Sequence, residues 1–204
     1  MKQPKAFAKL GDRPLLAESL ERLDASDWID SIVIVAPPGW EEPSILVSEE
    51  IAATKVAAAV PGGATRAESA RAGIAEVAEE ATVVLVHDAA RPLVSDEVVG
   101  RVLTALSDGW DGAVPVLPLA DTIKRVERGR VVETLRRGEL VAAQTPQAFL
   151  APVLREAFAG GLVGATDCAS LVEARGGRVA AVAGDPRLLK ITDVADLELV
   201  AGWL

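Results

Sequence analysis

The chain has 204 residues, half of them hydrophobic, which is enough to bury the core of one domain over residues 1–204. Its formal net charge of -9 argues against a nucleic-acid partner, because binding to a phosphate backbone needs clustered positive charge. The single cysteine, Cys168, excludes an intrachain disulfide, and no apolar run is long enough to span a membrane, so we expect a cytoplasmic protein without membrane contact.

The first third of the chain alternates helix and strand patterns. Leucines at 16, 20 and 23 recur on one helical face, and a β-branched run at 31–36 stops at two prolines and a glycine. A second helix is expected over 41–53 and a second strand over 55–60. This alternation is typical of a layered α/β fold.

A glycine turn follows the second strand. Thr65 and Glu68 have the spacing of a capping box, which predicts a helix over 67–77. The free N–H groups of Gly62 and Gly63 before that helix could hold an anion or a nucleotide. An ordinary glycine turn before a capped helix explains the same residues, and the sequence leaves both interpretations open.

The stretch from Thr82 to Arg91 is the most informative in the chain. Its apolar run predicts a fully buried strand, and its histidine, carboxylate and arginine then fall at the carboxyl edge, where open α/β sheets bind ligands. Asp88 could hold a divalent cation and Arg91 an anionic oxygen. Alternatively, Asp88 and Arg91 pair with each other at the surface.

The second half predicts further alternating elements and one insertion. A helix is expected near 96–106, a strand at 112–118 and a short strand at 189–192, which together suggest a mainly parallel, three-layer sheet. Charged segments on both sides of Gly129 predict a hairpin within 121–140. Such a hairpin is either solvated or an arm that packs on another subunit.

Six motifs, in order along the chain, resemble those of the 2-C-methyl-D-erythritol 4-phosphate cytidylyltransferases. They are GGATR at 62–66, VHDAARP at 86–92, DTIK at 121–124, QTPQ at 144–147, TDCAS at 166–170 and KIT at 190–192. The resemblance implies a Rossmann-like, glycosyltransferase-A-like fold with a hairpin arm that crosses to the partner in a homodimer. It also implies Mg²⁺-assisted transfer of a cytidylyl group from CTP to methylerythritol 4-phosphate, in non-mevalonate isoprenoid biosynthesis, with release of pyrophosphate.

The same resemblance assigns roles to individual residues. Lys5 corresponds to a lysine that steadies the triphosphate, Lys190 to a lysine beside the reacting phosphates, and Arg137 to an arginine that positions the sugar phosphate across the dimer. Asp88 corresponds to the Mg²⁺ ligand. The remaining assignments are contacts with methylerythritol phosphate by Arg91, Thr122 and Thr145, and with cytosine and ribose by Gly62, Gly63 and Ser69.

One family feature has no counterpart in the given sequence. Family members begin with a hydrophobic strand and a glycine-rich phosphate loop shortly before the Pro-Lys pair, which here is Pro4-Lys5. Such a loop wraps a triphosphate with backbone N–H groups. A missing N-terminal segment is favoured over a degenerate, inactive nucleotide-binding paralogue, because Lys5, Asp88, Arg137 and Lys190 are all retained. We expect the 204-residue chain alone to turn over poorly or to aggregate.

A related enzyme that uses another polyol phosphate is the nearest alternative. Ribitol 5-phosphate is one such acceptor, and the DTIK motif at 121–124 favours methylerythritol phosphate instead. His87 is expected to make an orienting hydrogen bond rather than to act as a base, because the nucleophile is already an anionic phosphate.

Overall fold

The computed structural model describes residues 3–160 and 166–204. Its helices are α1 (Leu15–Asp24), α2 (Glu41–Glu50), α3 (Arg66–Glu76), α4 (Asp96–Ser107), α5 (Ala151–Ala159), α6 (Cys168–Glu173) and α7 (Val194–Ala201). Its strands are β1 (Lys9–Leu10), β2 (Arg13–Pro14), β3 (Ile32–Ala36), β4 (Val56–Pro61), β5 (Val83–Val86), β6 (Gly112–Pro118), β7 (Lys124–Glu127), β8 (Arg130–Thr134), β9 (Val141–Ala143), β10 (Gln147–Leu150) and β11 (Val179–Ala183).

The main sheet contains five strands. Four follow the order β11-β6-β10-β5, and β9 pairs with β6 beyond the end of β10. Only β11 and β6 are parallel in this sheet, while β3 and β4 form a separate parallel pair. The sheet is therefore mixed rather than mainly parallel. The chain returns from β6 through a hairpin to β9 and β10, and such a return needs no crossover helix.

Helices cover both faces of the main sheet, as the three-layer prediction requires. On β10, Ala148 packs towards α4, whereas the next residue, Phe149, packs towards α5 and α6. Ala113 and Val114 on β6 divide between the same two clusters. This alternation is the period of a strand buried on both faces. The predicted α/β fold class is confirmed.

Helix α3 packs between the main sheet and the β3–β4 pair. Ile74 packs in one cluster with Val84 of β5, while Gly73 lies against β3, where an added Cβ would stand 2.6 Å from the Val35 side chain. A glycine is needed at this close approach. The capping box of Thr65 and Glu68 is formed as the sequence predicts.

Two local predictions are wrong. Strand β5 is only partly buried: Val84 is enclosed, its neighbours are partly exposed, and its one pairing among the described strands is with β10. Residues 189–192 form no strand. A backbone hydrogen bond from the Ile191 N–H to the Ala90 carbonyl, 2.8 Å long, attaches that segment to the turn after β5.

The predicted hairpin is confirmed as β7 and β8. Gly129 at its tip has a φ of 79°, a conformation that favours glycine. Val126 and Val131 are register partners, so their side chains share one face, and both are 55% exposed. We call residues 121–140 the arm.

Within the described ranges, no helix is long and apolar enough to cross a bilayer.

Candidate functional site

The carboxylate of Asp88 lies between two cations just after β5. The Lys190 ammonium donates to Asp88 Oδ2 at 2.7 Å, and Arg66 Nη2 lies 3.5 Å from Oδ1. Arg66 is the first residue of α3, and Lys190 comes from the segment between β11 and α7. Three distant parts of the chain thus meet at this carboxylate.

The electrostatics keep Asp88 ionised. Burial by itself raises the pKa of a carboxyl group, but the hydrogen bond and charge of Lys190 and the charge of Arg66 outweigh it, so the pKa of Asp88 lies below its usual value. Its side chain is 20% exposed. The carboxylate is therefore charged and accessible to a ligand from solvent.

Lys5 is held close to the same segment. Its ammonium donates to the Thr192 carbonyl at 3.1 Å, two residues beyond Lys190, and its side chain is exposed. Asp196 in turn accepts hydrogen bonds from the Thr192 N–H and hydroxyl, at 2.7 and 2.5 Å. The structure thus brings Lys5, Asp88 and Lys190 together around residues 190–192.

A hydrogen-bonded chain runs behind Asp88. The Asp88 N–H donates to Thr145 Oγ1 at 3.0 Å, and that hydroxyl lies 3.2 Å from His87 Nδ1. His87 Nε2 lies 3.0 Å from the Arg91 carbonyl. Burial lowers the pKa of His87 to about 4, so the imidazole is neutral at neutral pH. His87 makes an orienting contact, as expected from the sequence.

Arg91 lies on the same turn but does not pair with Asp88. Its guanidinium donates to the carbonyls of Leu188, at 2.5 Å, and Ala143, at 3.4 Å, and its buried Nε has no hydrogen-bond partner in the part of the chain that the structure describes. Burial lowers the pKa of Arg91 from its usual value. The surface ion pair between Asp88 and Arg91, one of the two open interpretations, is absent from the described salt bridges.

The glycine turn packs tightly on the start of α3. Ser69 Oγ accepts from the Gly63 N–H at 3.1 Å and donates to the Thr65 carbonyl at 2.9 Å. A Cβ on Gly62 would stand 2.8 Å from Ser69 Oγ, and one on Gly63 would stand 2.3 Å from the Glu68 Cβ. The Gly62 N–H donates to the Ala36 carbonyl at 2.7 Å, so the N–H groups of both glycines have partners, and the prediction that they are free is wrong. Arg66 connects this turn to Asp88.

The remaining predicted residues lie on the arm, away from this cluster. Arg137 donates to the Ala120 carbonyl at the base of the arm and is exposed. Thr122 is exposed on the same segment. Among the described hydrogen bonds, Arg137 makes none with Asp88 or Lys190.

Sequence reasoning missed the glutamines and the partners of Arg66. Gln144 exchanges two hydrogen bonds with the Asp185 backbone, at 2.9 and 3.0 Å, and Gln147 donates to Asp167 at 2.8 Å. Arg66 Nη1 lies 3.7 Å from the Cys168 sulfur. Nothing in local periodicity signals these pairs, because their members are 20 to 102 residues apart.

The arrangement suits the handling of anions. Lys190 and Arg66 flank the Asp88 carboxylate, and Lys5 is bonded to the Thr192 carbonyl two residues beyond Lys190. Arg91 on the same turn forms no salt bridge with a described residue. No cluster of three or more histidine, cysteine or acidic side chains that could cage a metal occurs in residues 3–160 and 166–204. Asp88 alone fits a cation that takes most of its ligands from phosphate oxygens and water.

Comparisons with known proteins agree with this geometry. Residues 1–204 match the protein family described as 2-C-methyl-D-erythritol 4-phosphate cytidylyltransferase (IspD). The chain is 42% identical to proteins of that name from Frankia casuarinae, covering 98% of this chain and 74% of that protein, and from Nocardia farcinica, covering 97% and 84%. The crystal structure of the Thermus thermophilus protein of that name superposes with a TM-score of 0.84 at 36% identity, covering 98% of this chain and 93% of that one. The chain therefore belongs to the 2-C-methyl-D-erythritol 4-phosphate cytidylyltransferase family.

Proposed function

We propose that this protein transfers a cytidylyl group from CTP to 2-C-methyl-D-erythritol 4-phosphate and releases pyrophosphate, as a cytoplasmic enzyme of non-mevalonate isoprenoid biosynthesis. Family membership along residues 1–204 is the observation that carries the proposal. The nucleophile is a phosphate that is already anionic, so the reaction needs no general base. Because the nucleophile and the α-phosphate repel each other, catalysis depends on charge neutralisation and in-line positioning.

The lysines near Asp88 supply this neutralisation. We assign Lys190 to the reacting phosphates, and Lys5 to the charge that develops as pyrophosphate leaves. Two observations support the assignment: Lys190 is 2.7 Å from Asp88, and Lys5 is bonded to the carbonyl of Thr192, two residues further on. Both ammonium groups are exposed enough to reach a bound triphosphate.

Asp88 is the proposed Mg²⁺ ligand. Its carboxylate is ionised and partly exposed, and Mg²⁺ in nucleotide sites commonly uses one or two carboxylates together with phosphate oxygens and waters. When bound, the ion polarises the phosphoryl oxygens and neutralises their charge. Lys190 and Arg66 share this carboxylate in the protein alone, so both cations are poised to turn towards incoming phosphates.

The proposed substrate contacts divide between two regions. Gly62, Gly63 and Ser69 are assigned to the cytosine and ribose, because the two glycines have no side chain and allow close approach to the backbone. Arg91, Thr122 and Thr145 are assigned to methylerythritol phosphate. The half-buried guanidinium of Arg91, which has no carboxylate partner among the described residues, supports its role as an anion contact.

We assign the arm to a homodimer in which Arg137 serves the partner's site. Val126 and Val131 form an apolar pair on one face of the arm, and more than half of each side chain is exposed. Burial of such a pair against a second subunit is favourable. Arg137 at the base of the arm is also exposed, so it is free to contact a ligand outside its own subunit.

A pyrophosphate-release assay with two acceptors tests the proposal. CTP and Mg²⁺ are supplied with either methylerythritol 4-phosphate or ribitol 5-phosphate, and the ratio of kcat/KM values is measured, so that a slow absolute rate does not obscure the result. We expect a preference for methylerythritol phosphate of about 100-fold or more. A preference for ribitol phosphate would move the protein to the related polyol-phosphate enzymes. Calorimetric binding of CTP without any pyrophosphate release would identify a non-catalytic nucleotide-binding protein.

A further inference from the structure

We propose that Arg66 is a further catalytic residue, whose guanidinium contacts the α-phosphate of CTP. The inference rests on the proposed function, since it names the part of the substrate that Arg66 meets. It is carried by the position of Arg66 between two assigned regions, by the length of its present contacts and by the donors of its guanidinium.

Arg66 lies between the turn assigned to the nucleoside and the carboxylate assigned to the metal. It is the first residue of α3 and follows the glycine turn that contains Gly62 and Gly63. Its Nη2 atom lies 3.5 Å from Asp88 Oδ1. In CTP the α-phosphate joins the ribose to the two phosphates that leave. A side chain that extends from the nucleoside turn to the Asp88 carboxylate therefore lies along the path of the α-phosphate.

The present contacts of Arg66 are long. Lys190 donates to Asp88 Oδ2 at 2.7 Å, whereas the 3.5 Å from Arg66 Nη2 to Oδ1 exceeds the usual length of an N–H···O hydrogen bond. Arg66 Nη1 lies 3.7 Å from the sulfur of Cys168, and sulfur is a weak acceptor. The guanidinium is therefore held loosely at both terminal nitrogens, and an incoming phosphate oxygen offers it a stronger partner.

The adjoining carboxylate of Asp167 is already engaged elsewhere. Its Oδ1 accepts from the Ser170 N–H at 2.9 Å, and its Oδ2 accepts from Gln147 at 2.8 Å. Among the described residues, the one salt bridge of Arg66 is thus with Asp88. Since Asp88 is also the proposed metal ligand, Arg66 gains most from turning to a phosphate when that carboxylate is shared.

The guanidinium is accessible and has suitable donors. The Arg66 side chain is 34% exposed, compared with 20% for Asp88, so a phosphate can reach it without movement of α3. A guanidinium presents several N–H donors in one plane and can bind two oxygens of the same phosphate. Arg66 therefore suits an anion with two free oxygens, as the α-phosphate has.

The chemical step identifies what such a contact contributes. An oxygen of the acceptor phosphate forms a bond to the α-phosphorus. The bond from that phosphorus to the oxygen bridging to the β-phosphate breaks, and pyrophosphate leaves with the bonding electron pair. No proton is transferred. A cation on the non-bridging oxygens of the α-phosphate reduces the repulsion between the two anions and stabilises the transition state.

Equilibrium binding of cytidine and CMP in the presence of Mg²⁺ tests the contact without turnover, because the two ligands differ only in the α-phosphate. The ratio of the dissociation constant of cytidine to that of CMP is expected to fall about tenfold in Arg66→Gln, while cytidine itself binds within about threefold of the parent. Arg71→Gln, at an exposed position of the same helix, is the control and should keep the parent ratio. An unchanged ratio in Arg66→Gln would overturn the proposal and leave Arg66 as a structural bridge.

Turnover of CTP with sulfur in the α-phosphate locates the contact on the reacting group. The two diastereomers of this analogue carry sulfur in place of one or the other non-bridging oxygen. With CTP, kcat is expected to be about 100-fold lower in Arg66→Gln than in the parent. For one diastereomer, the rate ratio of CTP to the analogue should be at least about fivefold smaller in Arg66→Gln, because the contact that sulfur disturbs is already lost. Equal ratios in parent and variant for both diastereomers would contradict the contact.

Arg66→Lys is the second variant, for use if Arg66→Gln does not fold. It keeps the positive charge and removes the planar set of donors, so the ratio for cytidine and CMP should fall about threefold. An unchanged ratio would again count against the contact.

The Arg66 contact and the proposed function fail in different ways. A parent that binds CMP more tightly than cytidine but releases no pyrophosphate would lose the proposed transfer reaction, and binding to Arg66→Gln would still decide the contact. A parent that releases pyrophosphate, with Arg66→Gln at the parent rate and ratio, would lose the Arg66 contact alone. A parent that binds neither cytidine nor CMP would overturn both.

Discussion

The turn after β5 and the arm are built in opposite ways. Around Asp88, side chains from four separate segments bond to one another, and the carboxylate is only 20% exposed. On the arm, Val126 and Val131 are each 55% exposed, and Arg137 bonds only to a carbonyl at the arm's own base among the described contacts. The turn pairs Asp88 with cations of its own chain, although Arg91 Nε lacks a partner among the described residues, whereas the arm presents apolar and charged groups outwards.

This difference separates the proposed phosphate site, which is built from one chain, from the proposed dimer contact, which needs two chains. The proposed neutralisation of phosphates near Asp88 needs no partner, because Lys5, Lys190 and Arg66 all belong to the same chain. Val126 and Val131 on the arm instead keep more than half of each side chain exposed in their own subunit. The following predictions test this division, beginning with the largest expected effect.

Removing the charge of Asp88 should have the largest effect. We expect Asp88→Asn to lower kcat about 1,000-fold, because the Mg²⁺ ligand at the reacting phosphates is lost. Pyrophosphate release measures the effect. Asp27→Asn, which alters an exposed carboxylate far along the chain, is the matched control and should stay near the parent rate. A loss of less than about tenfold for Asp88→Asn would place the metal on another group.

Mixing two inactive variants tests whether the arm acts across subunits. Arg137→Ala should lower kcat about 100-fold, since a charged contact to the sugar phosphate is lost. When Arg137→Ala and Asp88→Asn subunits are mixed and allowed to reassort, half of the dimers are mixed and each has one intact site, so about a quarter of the parent activity should return.

Arg136→Ala removes a neighbouring arginine whose side chain is 88% exposed, and it serves as the control for the arm. Mixtures that stay as inactive as their components would mean that Arg137 serves its own subunit. The turn after β5 and the arm would then both act within one subunit.

Acid should lower the stability of the folded protein through His87, at the turn after β5. The pKa of His87 in the folded protein is about 4, below its usual value of 6.5, so the unfolded chain takes up a proton before the folded one does. Stability is therefore fully present above about pH 6.5 and falls as the pH drops towards 4. We expect the free energy of unfolding to lose about 1–3 kcal/mol more in the parent than in His87→Asn.

Urea unfolding at pH 7.5, 6, 5 and 4.5 measures this difference, and the comparison of variants cancels the shared carboxyl titrations. His87 is the only histidine in the chain, which makes its contribution identifiable. Parallel pH profiles for the parent and His87→Asn would show that the ring is not held neutral by the fold.

The smallest expected effect concerns the apolar face of the arm. Val126→Ser combined with Val131→Ser should raise the dimer dissociation constant about tenfold or more, because two side chains lose apolar contact area. Both positions are exposed, so the stability of the isolated subunit should change little. Sedimentation equilibrium measures the constant. Val132→Ser lies on the other face of β8 and should have a weaker effect, whereas an equal effect would not support a dimer through the Val126 face.

Helix caps and turns could be predicted from the sequence, whereas the pairing of distant strands could not. The Thr65–Glu68 cap and the Gly129 hairpin tip depend on neighbours within four residues, so their patterns identified them. The antiparallel place of β10 depends on residues 61 and 35 positions away, as with Gln147 opposite Val86 and Ala148 opposite Ala113. Alternation of apolar residues sets which face of a strand is buried, but not which strand it pairs with.

The site shows the same limit. The motifs indicated Asp88 and Lys190 individually, yet the bond between residues 102 positions apart is a property of the fold. Thr145 illustrates the limit most clearly, because its hydroxyl accepts a hydrogen bond from the Asp88 N–H, which is 57 residues away in the sequence.

Under the proposed function, the acceptor's own phosphate attacks the α-phosphorus of CTP beside Asp88. Methylerythritol 4-phosphate labelled with ¹⁸O in its phosphate tests this directly, with products followed by ³¹P NMR and mass spectrometry. We expect all of the label to stay in the cytidyl diphosphate ester of methylerythritol and the released pyrophosphate to be unlabelled. Label in pyrophosphate or orthophosphate, or CTP consumption that is independent of the acceptor, would contradict it.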